Sequence, residues 1–383
     1  MEYKKNIILH ITITLLLLAT ALAVSCSQDW KTSGVTLVTN GGTIAPGKDV
    51  TSYVEGKGVF LPLASDITKD DCTFGGWYDN PDFTGDPVKL IGGDARGDKT
   101  FYAKWDEIPI LYITSDTTTL ESGRRYSIET DVTNDNRLTV GGKVRLYLPD
   151  GLTLTLGKGI TVTGSNELVI DTTGDAKTGA LTISGVESQN AAIGGESGSG
   201  CGKVTIRSGN ITVTGGVNAA GIGGGHLGNG GTITITGGTV DATGGFGTNG
   251  GGAGIGGGYK GDGGTIVISG ASVKATGAND AAGIGGGHDA SGANLTISNG
   301  AKVKTYSPQG KGIGASLGKT TNGTLTIGNF DTPTTEGHLK IGEGWRLNYG
   351  DSENPPAVCT GPNEYNSFDG YCMNYMDVTF TVD

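Results

Sequence analysis

The sequence has no C-x-x-C pair and no cluster of histidine with cysteine, which removes the usual protein zinc sites. Between residues 193 and 327 the only arginine is Arg207, and acids are sparse there: Glu196, Asp241, Asp262, Asp280 and Asp289. No apolar run reaches the roughly 20 uninterrupted residues a membrane span needs, since residues 7–24 are broken by His10 and several threonines. Basic charge is also short. The formal charge is −11, and −12 once Glu2, Lys4 and Lys5, together +1, are set aside, so binding to nucleic acid by phosphate neutralisation is not expected.

What the chain has instead is glycine, 72 residues of it, placed at fixed intervals among alternating strands and therefore marking corners. A phrase returns as A-A-I-G-G at Ala191, A-G-I-G-G-G-H at Ala220, A-G-I-G-G-G-Y at Ala253, A-G-I-G-G-G-H at Ala282 and K-G-I-G-A at Lys311. Its isoleucines are Ile193, Ile222, Ile255, Ile284 and Ile313, so the interval is the same at every step except the longer one from Ile222 to Ile255. A period of about 30 is that of a solenoid. Between the isoleucines lie period-2 runs of β-branched residues, T-I-T-I-T from Thr232 and T-V-D-A-T from Thr239, then T-I-V-I-S and S-V-K-A-T in the next unit. Each unit therefore reads as strand, sharp turn, strand and Gly-rich corner, which is one coil of a parallel β-helix.

One coil cannot hold itself together. Five or six inward aliphatic side chains contribute roughly 1.5–3 kcal/mol each, against about 30 residues ordered at roughly 1–2 kcal/mol each. Stacked coils share ladder hydrogen bonds and a continuous core. The spacing predicts one internal ladder of the five corner isoleucines, begun by Ile160 and ended by Ile341, and a second of Ile206, Ile235, Ile268, Ile297 and Ile327. Lys274, Lys302, Lys304 and Lys311, with Thr232, Thr234, Thr236 and Thr265, are expected on outward, solvated positions.

The chain opens with a targeting pattern: Lys4 and Lys5, an apolar centre, then L-A-V-S-C ending at Cys26. This resembles the lipobox of bacterial lipoproteins, with Ala23 where the family's leucine usually stands and Leu22 one place earlier. The resemblance implies cleavage after residue 25, a lipidated Cys26 as membrane anchor, and residence in the bacterial envelope, at the outer membrane and exposed on the surface; an ordinary signal peptide or an uncleaved anchor is the alternative. Of the other cysteines, Cys359 and Cys372 are the candidate pair for closing a short loop in an oxidising envelope. Cys72 and Cys201 fall in different expected domains and are read as free or buried.

After a linker at 26–33, residues 34–107 carry V-T-L-V-T-N-G-G-T-I from Val35, F-G-G-W-Y-D-N from Phe74 and T-F-Y-A-K-W from Thr100, three strand-like pieces. They resemble the Listeria–Bacteroides repeat, the internalin-type B-repeat, with Cys72-Thr73 where the family often has Gly-Tyr. The resemblance implies a small β-grasp-like module of exported surface proteins, used in spacers and adhesive stalks. Trp77, Tyr78, Tyr102 and Trp105 are read first as core, second as a glycan-stacking platform.

Residues 108–347 resemble the Gly-rich parallel β-helix regions of bacterial surface proteins, some of the carbohydrate-binding kind, and 348–383 are read as a C-terminal cap or tail. The whole is expected to be all-β: a right-handed parallel β-helix of six or seven coils behind the small module. Parallel β-helices also host polysaccharide lyases and hydrolases. Those need clustered or paired carboxylates, and the sparse acids and N-T-D, D-D and R-I-K phrases missing from the coils speak against catalysis.

His226, Tyr259 and His288 follow three successive corners and should stack in one column, the imidazoles roughly 9–10 Å apart. That is too far to share one zinc ion at about 2 Å from each nitrogen. The column is either a sugar-binding surface or a structural stack over the turn. Asn229, Asp262 and Asp289 lie in the turns that follow, as ordinary turn formers or, second, as calcium ligands; the nine-residue G-G-x-G-x-D-x calcium repeat is missing. No other cofactor is expected. The reading is a lipid-anchored, non-catalytic surface protein binding polysaccharide or a host surface, with a ligand-free stalk as alternative.

Overall fold

The fold is described here from a computed structural model. It describes residues 31–184, 186, 188–248, 250–316 and 323–327, and, as backbone only, the strands Leu339–Ile341, Trp345–Gly350, Ala357–Thr360, Asn363–Tyr365 and Asp377–Val382. The expected leader, Cys26 and Cys372 lie outside the described residues. The chain divides into two compact units, Met1–Ile108 and Pro109–Asp383, and the described residues contain no helix.

The first unit holds eight strands: β1 (Thr32–Val38), β2 (Thr43–Ile44), β3 (Ser52–Val54), β4 (Val59–Phe60), β5 (Ile67–Thr68), β6 (Cys72–Tyr78), β7 (Leu90–Ile91) and β8 (Lys99–Glu107). The main sheet runs β3-β1-β8-β6, with β1 parallel and β6 antiparallel to β8. The stretch expected as one strand-like piece over 35–44 is split after Val38. Asn40 and Gly41 take φ of 49° and 86°, the left-handed turn that N-G favours, and β2 starts beyond it. In the G-G-W-Y phrase, Gly76 sits at a bulge against β8 with φ of 120°, and a Cβ there would lie 2.6 Å from Pro87 Cβ. Trp77 is 2% exposed, its indole N–H donating to the Pro62 carbonyl at 2.9 Å, among Tyr53, Leu61, Ile67, Ile91, Phe101 and Ala103.

The second unit is a right-handed parallel β-helix with three faces. On the first, the corner rungs pair in register through Leu138, Ile160, Ile193, Ile222, Ile255, Ile284 and Ile313. That face has eight rungs where six or seven coils were expected, because Thr119–Glu121 and Leu138–Gly141 join it without the Gly-rich phrase. The second face stacks Ile206, Ile235, Ile268, Ile297 and Ile327 as the spacing predicts. Ile341 does not end the corner ladder. It pairs with Ile327 on the second face, since the chain between them is too short to pass the other two faces.

The third face runs from Val132–Asn134 to Lys302–Tyr306 and is then closed by antiparallel Asp377–Val382, Trp345–Gly350 and Ala357–Thr360. Pairing of this kind covers a free sheet edge. Trp345–Gly350 crosses the boundary expected between 347 and 348.

Each regular coil sends five aliphatic side chains inward: Ile222, Ile233, Ile235, Val240 and Ala242 in one, Ile255, Ile266, Ile268, Val273 and Ala275 in the next, none more than 3% exposed. They belong to one core running from Ile113 to Ile327. The glycine after each corner isoleucine is required sterically. Gly194, Gly223, Gly256, Gly285 and Gly314 have φ from 116° to 142°, and a Cβ on Gly223 would overlap the carbonyl oxygen of Gly256 in the next coil.

Candidate functional site

The ring column begins at a turn. Gly225, His226, Leu227 and Gly228 close it by a bond from the Gly228 N–H to the Gly225 carbonyl at 2.8 Å, and Gly258 to Gly261 repeat it at 2.7 Å. The residue after each ring, Leu227, Lys260 or Asp289, adopts φ of 63°, 58° or 61°. A turn of this kind aims the preceding side chain outward, and the coil register then puts successive rings in line.

His226 and Tyr259 have centroids 5.4 Å apart at 10°, Tyr259 and His288 5.5 Å apart at 3°. All three are half-buried. Because the rings stack face on face along the helix axis, each neighbour covers the face a sugar would need, and the outward parts are the imidazole and phenol edges. The column therefore presents hydrogen-bonding groups in a row. The Tyr259 hydroxyl has no partner among the described residues, and the Lys260 ammonium lies 5.3 Å from the Tyr259 ring centre. His288 is the most constrained. Its Nδ1 stands 3.2 Å from Asp280 Oδ2, off the direction of a hydrogen bond, so their attraction is that of an ion pair when the ring is protonated.

The coil from Ile222 to Ile255, longer than the two that follow it, supplies the wall beside His288. Phe246–Gly247 and Gly250–Gly251 form a small hairpin whose Gly250 comes so near that a Cβ there would lie 2.6 Å from His288 Cγ. Asn279 ties the hairpin down, donating from Nδ2 to Gly247 and Gly250 carbonyls, both at 2.9 Å. Phe246 at its tip is 56% exposed. The sequence signal for this hairpin is the longer interval from Ile222 to Ile255 among the corner isoleucines from Ile193 to Ile313.

The turn acids separate into two columns. Asn229 Oδ1 accepts from the Asp262 N–H and Asp262 Oδ1 accepts from the Ser291 N–H, each at 2.9 Å, so these side chains splice one coil to the next. Ser291, not Asp289, continues their column; Asp289 stands with Leu227 and Lys260 at the left-handed position. The three do not converge as calcium ligands, and no group of three or more His, Cys, Asp or Glu side chains among the described residues is placed to hold a metal.

The other acids of the regular coils are also engaged. Asp241 pairs with Lys274 at 2.9 Å across adjacent rungs. Glu196 accepts from the Thr161 hydroxyl at 2.8 Å. It faces Arg137, a residue whose role the sequence did not reveal. Arg137 donates to Thr161 Oγ1 at 2.7 Å and to the carbonyls of Lys158, Ile160 and Ala191, which fixes the start of the corner ladder. Burial lowers its pKa to about 10, leaving it charged at neutral pH. Lys311, expected on the solvated face, is 7% exposed: the register puts it in the column of Ala220, Ala253 and Ala282. Cys201 is buried and its thiol is pushed up to about 12 by desolvation, while Cys72 is half-buried; both are free.

Residues 34–104 match the Listeria-Bacteroides repeat domain, and residues 204–226, 233–259 and 266–288 match the beta helix repeat. Each of the last three segments ends on a ring of the column. No curated protein and no solved structure matches the chain. Together the two repeat families indicate a surface-type β-helix protein.

Proposed function

We propose that this is a lipid-anchored protein of the bacterial envelope, held by Cys26 and exposed at the outer membrane, whose β-helix binds a polysaccharide or a host-surface glycan without transforming it. The observation that carries the reading is the column of His226, Tyr259 and His288, three half-buried rings stacked in line. A row of donors and acceptors repeating along a rigid axis suits a polymer whose own hydroxyls repeat. Sugar would meet it by hydrogen bonds at the ring edges.

A ligand-free stalk is the second reading, supported by the mutual covering of the ring faces, which is what a purely structural stack would also do. The two separate in a glycan-array screen of the chain with and without calcium, set beside a variant with His226, Tyr259 and His288 all changed to Ala. Binding lost in the variant while its β circular-dichroism signal persists supports a binding column. Absence of binding in both forms favours the stalk.

A further inference from the structure

We infer that the first unit carries a saccharide-binding cleft of its own, lined by Phe83, Tyr102 and Trp105, and that it takes a neutral sugar. The cavity is about 470 Å³, within the range of ligand sites, and its walls are Val38, Asn40, Lys69, Pro81 and the three aromatic residues. It separates two pairs that look alike in sequence. Trp77 and Tyr78 are buried at 2% and 7%, whereas Tyr102 and Trp105 remain half-exposed at the cleft.

The rim is held in place by strain. Phe83 has φ of 54°, a conformation a bulky residue adopts only when its surroundings impose it. The Asn80 side chain imposes it here: Oδ1 accepts from the Thr84 N–H at 3.0 Å and hydroxyl at 3.1 Å, and Nδ2 donates to the Thr84 carbonyl at 3.0 Å. The Phe83 ring is thereby set edge-on to Tyr78, 5.6 Å between centroids. A loop that only had to turn could have placed glycine at this position; what the strained residue adds is an aromatic wall.

The polar groups choose the ligand class. The Tyr102 hydroxyl has no hydrogen-bond partner among the described residues. Lys69 donates to the Asn40 carbonyl at 2.9 Å with its ammonium 6.0 Å from the Trp105 ring centre, and has no carboxylate partner among the described residues. A peptide strand adding to the sheet is disfavoured. Beyond Val38 and Tyr102 the Asn40 side chain takes the Ala103 carbonyl of β8, donating from Nδ2 at 2.8 Å, and the Trp105 indole N–H takes the Thr39 carbonyl at 2.8 Å, so neither carbonyl is left for an added strand. What remains is apolar wall with isolated donors and acceptors, the pattern that matches a sugar's apolar face and hydroxyl edge. Lys69 is the one charged group of the lining, and its engagement by the Asn40 carbonyl and the Trp105 ring turns the preference from acidic to neutral sugars.

The test is calorimetric titration of the detergent-solubilised full chain with cellohexaose, mannohexaose and xylohexaose, and with decaproline, on the parent, Phe83→Gly and Tyr102→Ala. Neither substitution removes a residue of the buried core, and thermal unfolding of each variant checks that the unit still folds. At least one hexaose is expected to bind, with affinity falling tenfold or more in both variants. It should be unchanged in the variant lacking His226, Tyr259 and His288, so this site and the β-helix column stand or fall separately. The inference is overturned if no hexaose binds, if binding is indifferent to both cleft variants, or if decaproline binds instead and is lost with them.

Discussion

The rings of Tyr259 and His288 lie parallel to within 3°, 5.5 Å between centres, although one full coil of chain separates them. The stack is continued on the other side by His226, so Tyr259 is covered on both faces. Tyr259→Phe should leave stability unchanged, because it keeps both ring contacts and removes a hydroxyl without a partner among the described residues. Tyr259→Ala should cost about 1–2 kcal/mol. Urea unfolding measures both. A glycan bound at the ring edges should weaken in Tyr259→Phe as well, since only the ligand uses that hydroxyl.

The corner glycines give a sharper case. A methyl group on Gly223 meets the backbone oxygen of Gly256, which cannot rotate away, and the residue's φ of 138° is unsuited to any other side chain. Gly223→Ala is therefore expected to destabilise the β-helix by at least about 2 kcal/mol. Gly123→Ala tests strain alone, for its φ of 71° is also left-handed yet nothing lies within 4 Å of a Cβ there. The difference between the two midpoints measures the inter-coil clash together with the added strain of the wider φ at Gly223.

Both ladders of isoleucines are legible because a solenoid makes register a matter of counting: equal intervals force Ile193 under Ile222 and Ile268 under Ile297, and the repeated Gly-rich phrase carries the register across the longer step from Ile222 to Ile255. Where both interval and phrase lapse, so does the reading. Ile341 follows Ile313 by nearly one full period and looks like a corner, yet its true partner is Ile327, only about half a period before it. Lys311 looks outward by alternation but precedes a corner, where the chain changes face. The ring column is visible from the repeated phrase, while the direction of its faces is not, because that depends on side-chain torsion. Arg137 gives no signal, since three of its four hydrogen bonds go to backbone carbonyls, which carry no sequence. The cleft of the first unit depends on Phe83, whose left-handed backbone no pattern announces.

Asp262 splices two coils through one oxygen, and an amide oxygen accepts the same bond. Asp262→Asn should therefore be neutral, while Asp262→Ala should cost about 1 kcal/mol by leaving the Ser291 N–H unpaired. The pair also tests calcium. Asn229, Asp262 and Asp289 do not converge, so calcium should raise the melting temperature of neither the parent nor the variants; a rise abolished by Asp262→Asn would restore the metal reading.

Glu55 sets the acid response of the first unit. The Ser33 hydroxyl at 2.6 Å, the Gly97 N–H at 2.8 Å and the Lys31 ammonium at 3.1 Å hold its carboxyl at about 2, below the ordinary 4.5. The folded form thus binds its proton more weakly than the unfolded chain, and the group stabilises the fold in its ionised state. That contribution is complete above about pH 4.5, declines as the unfolded chain begins to take up the proton, and is gone once the pH has fallen through about 2. Glu55→Gln should lower the melting temperature of the unit at pH 7, and the gap to the parent should close between about pH 4.5 and 2. Calorimetric scans of both proteins across that interval make the comparison; a gap that stays constant to pH 2 would mean that the glutamine variant loses packing, not the charge.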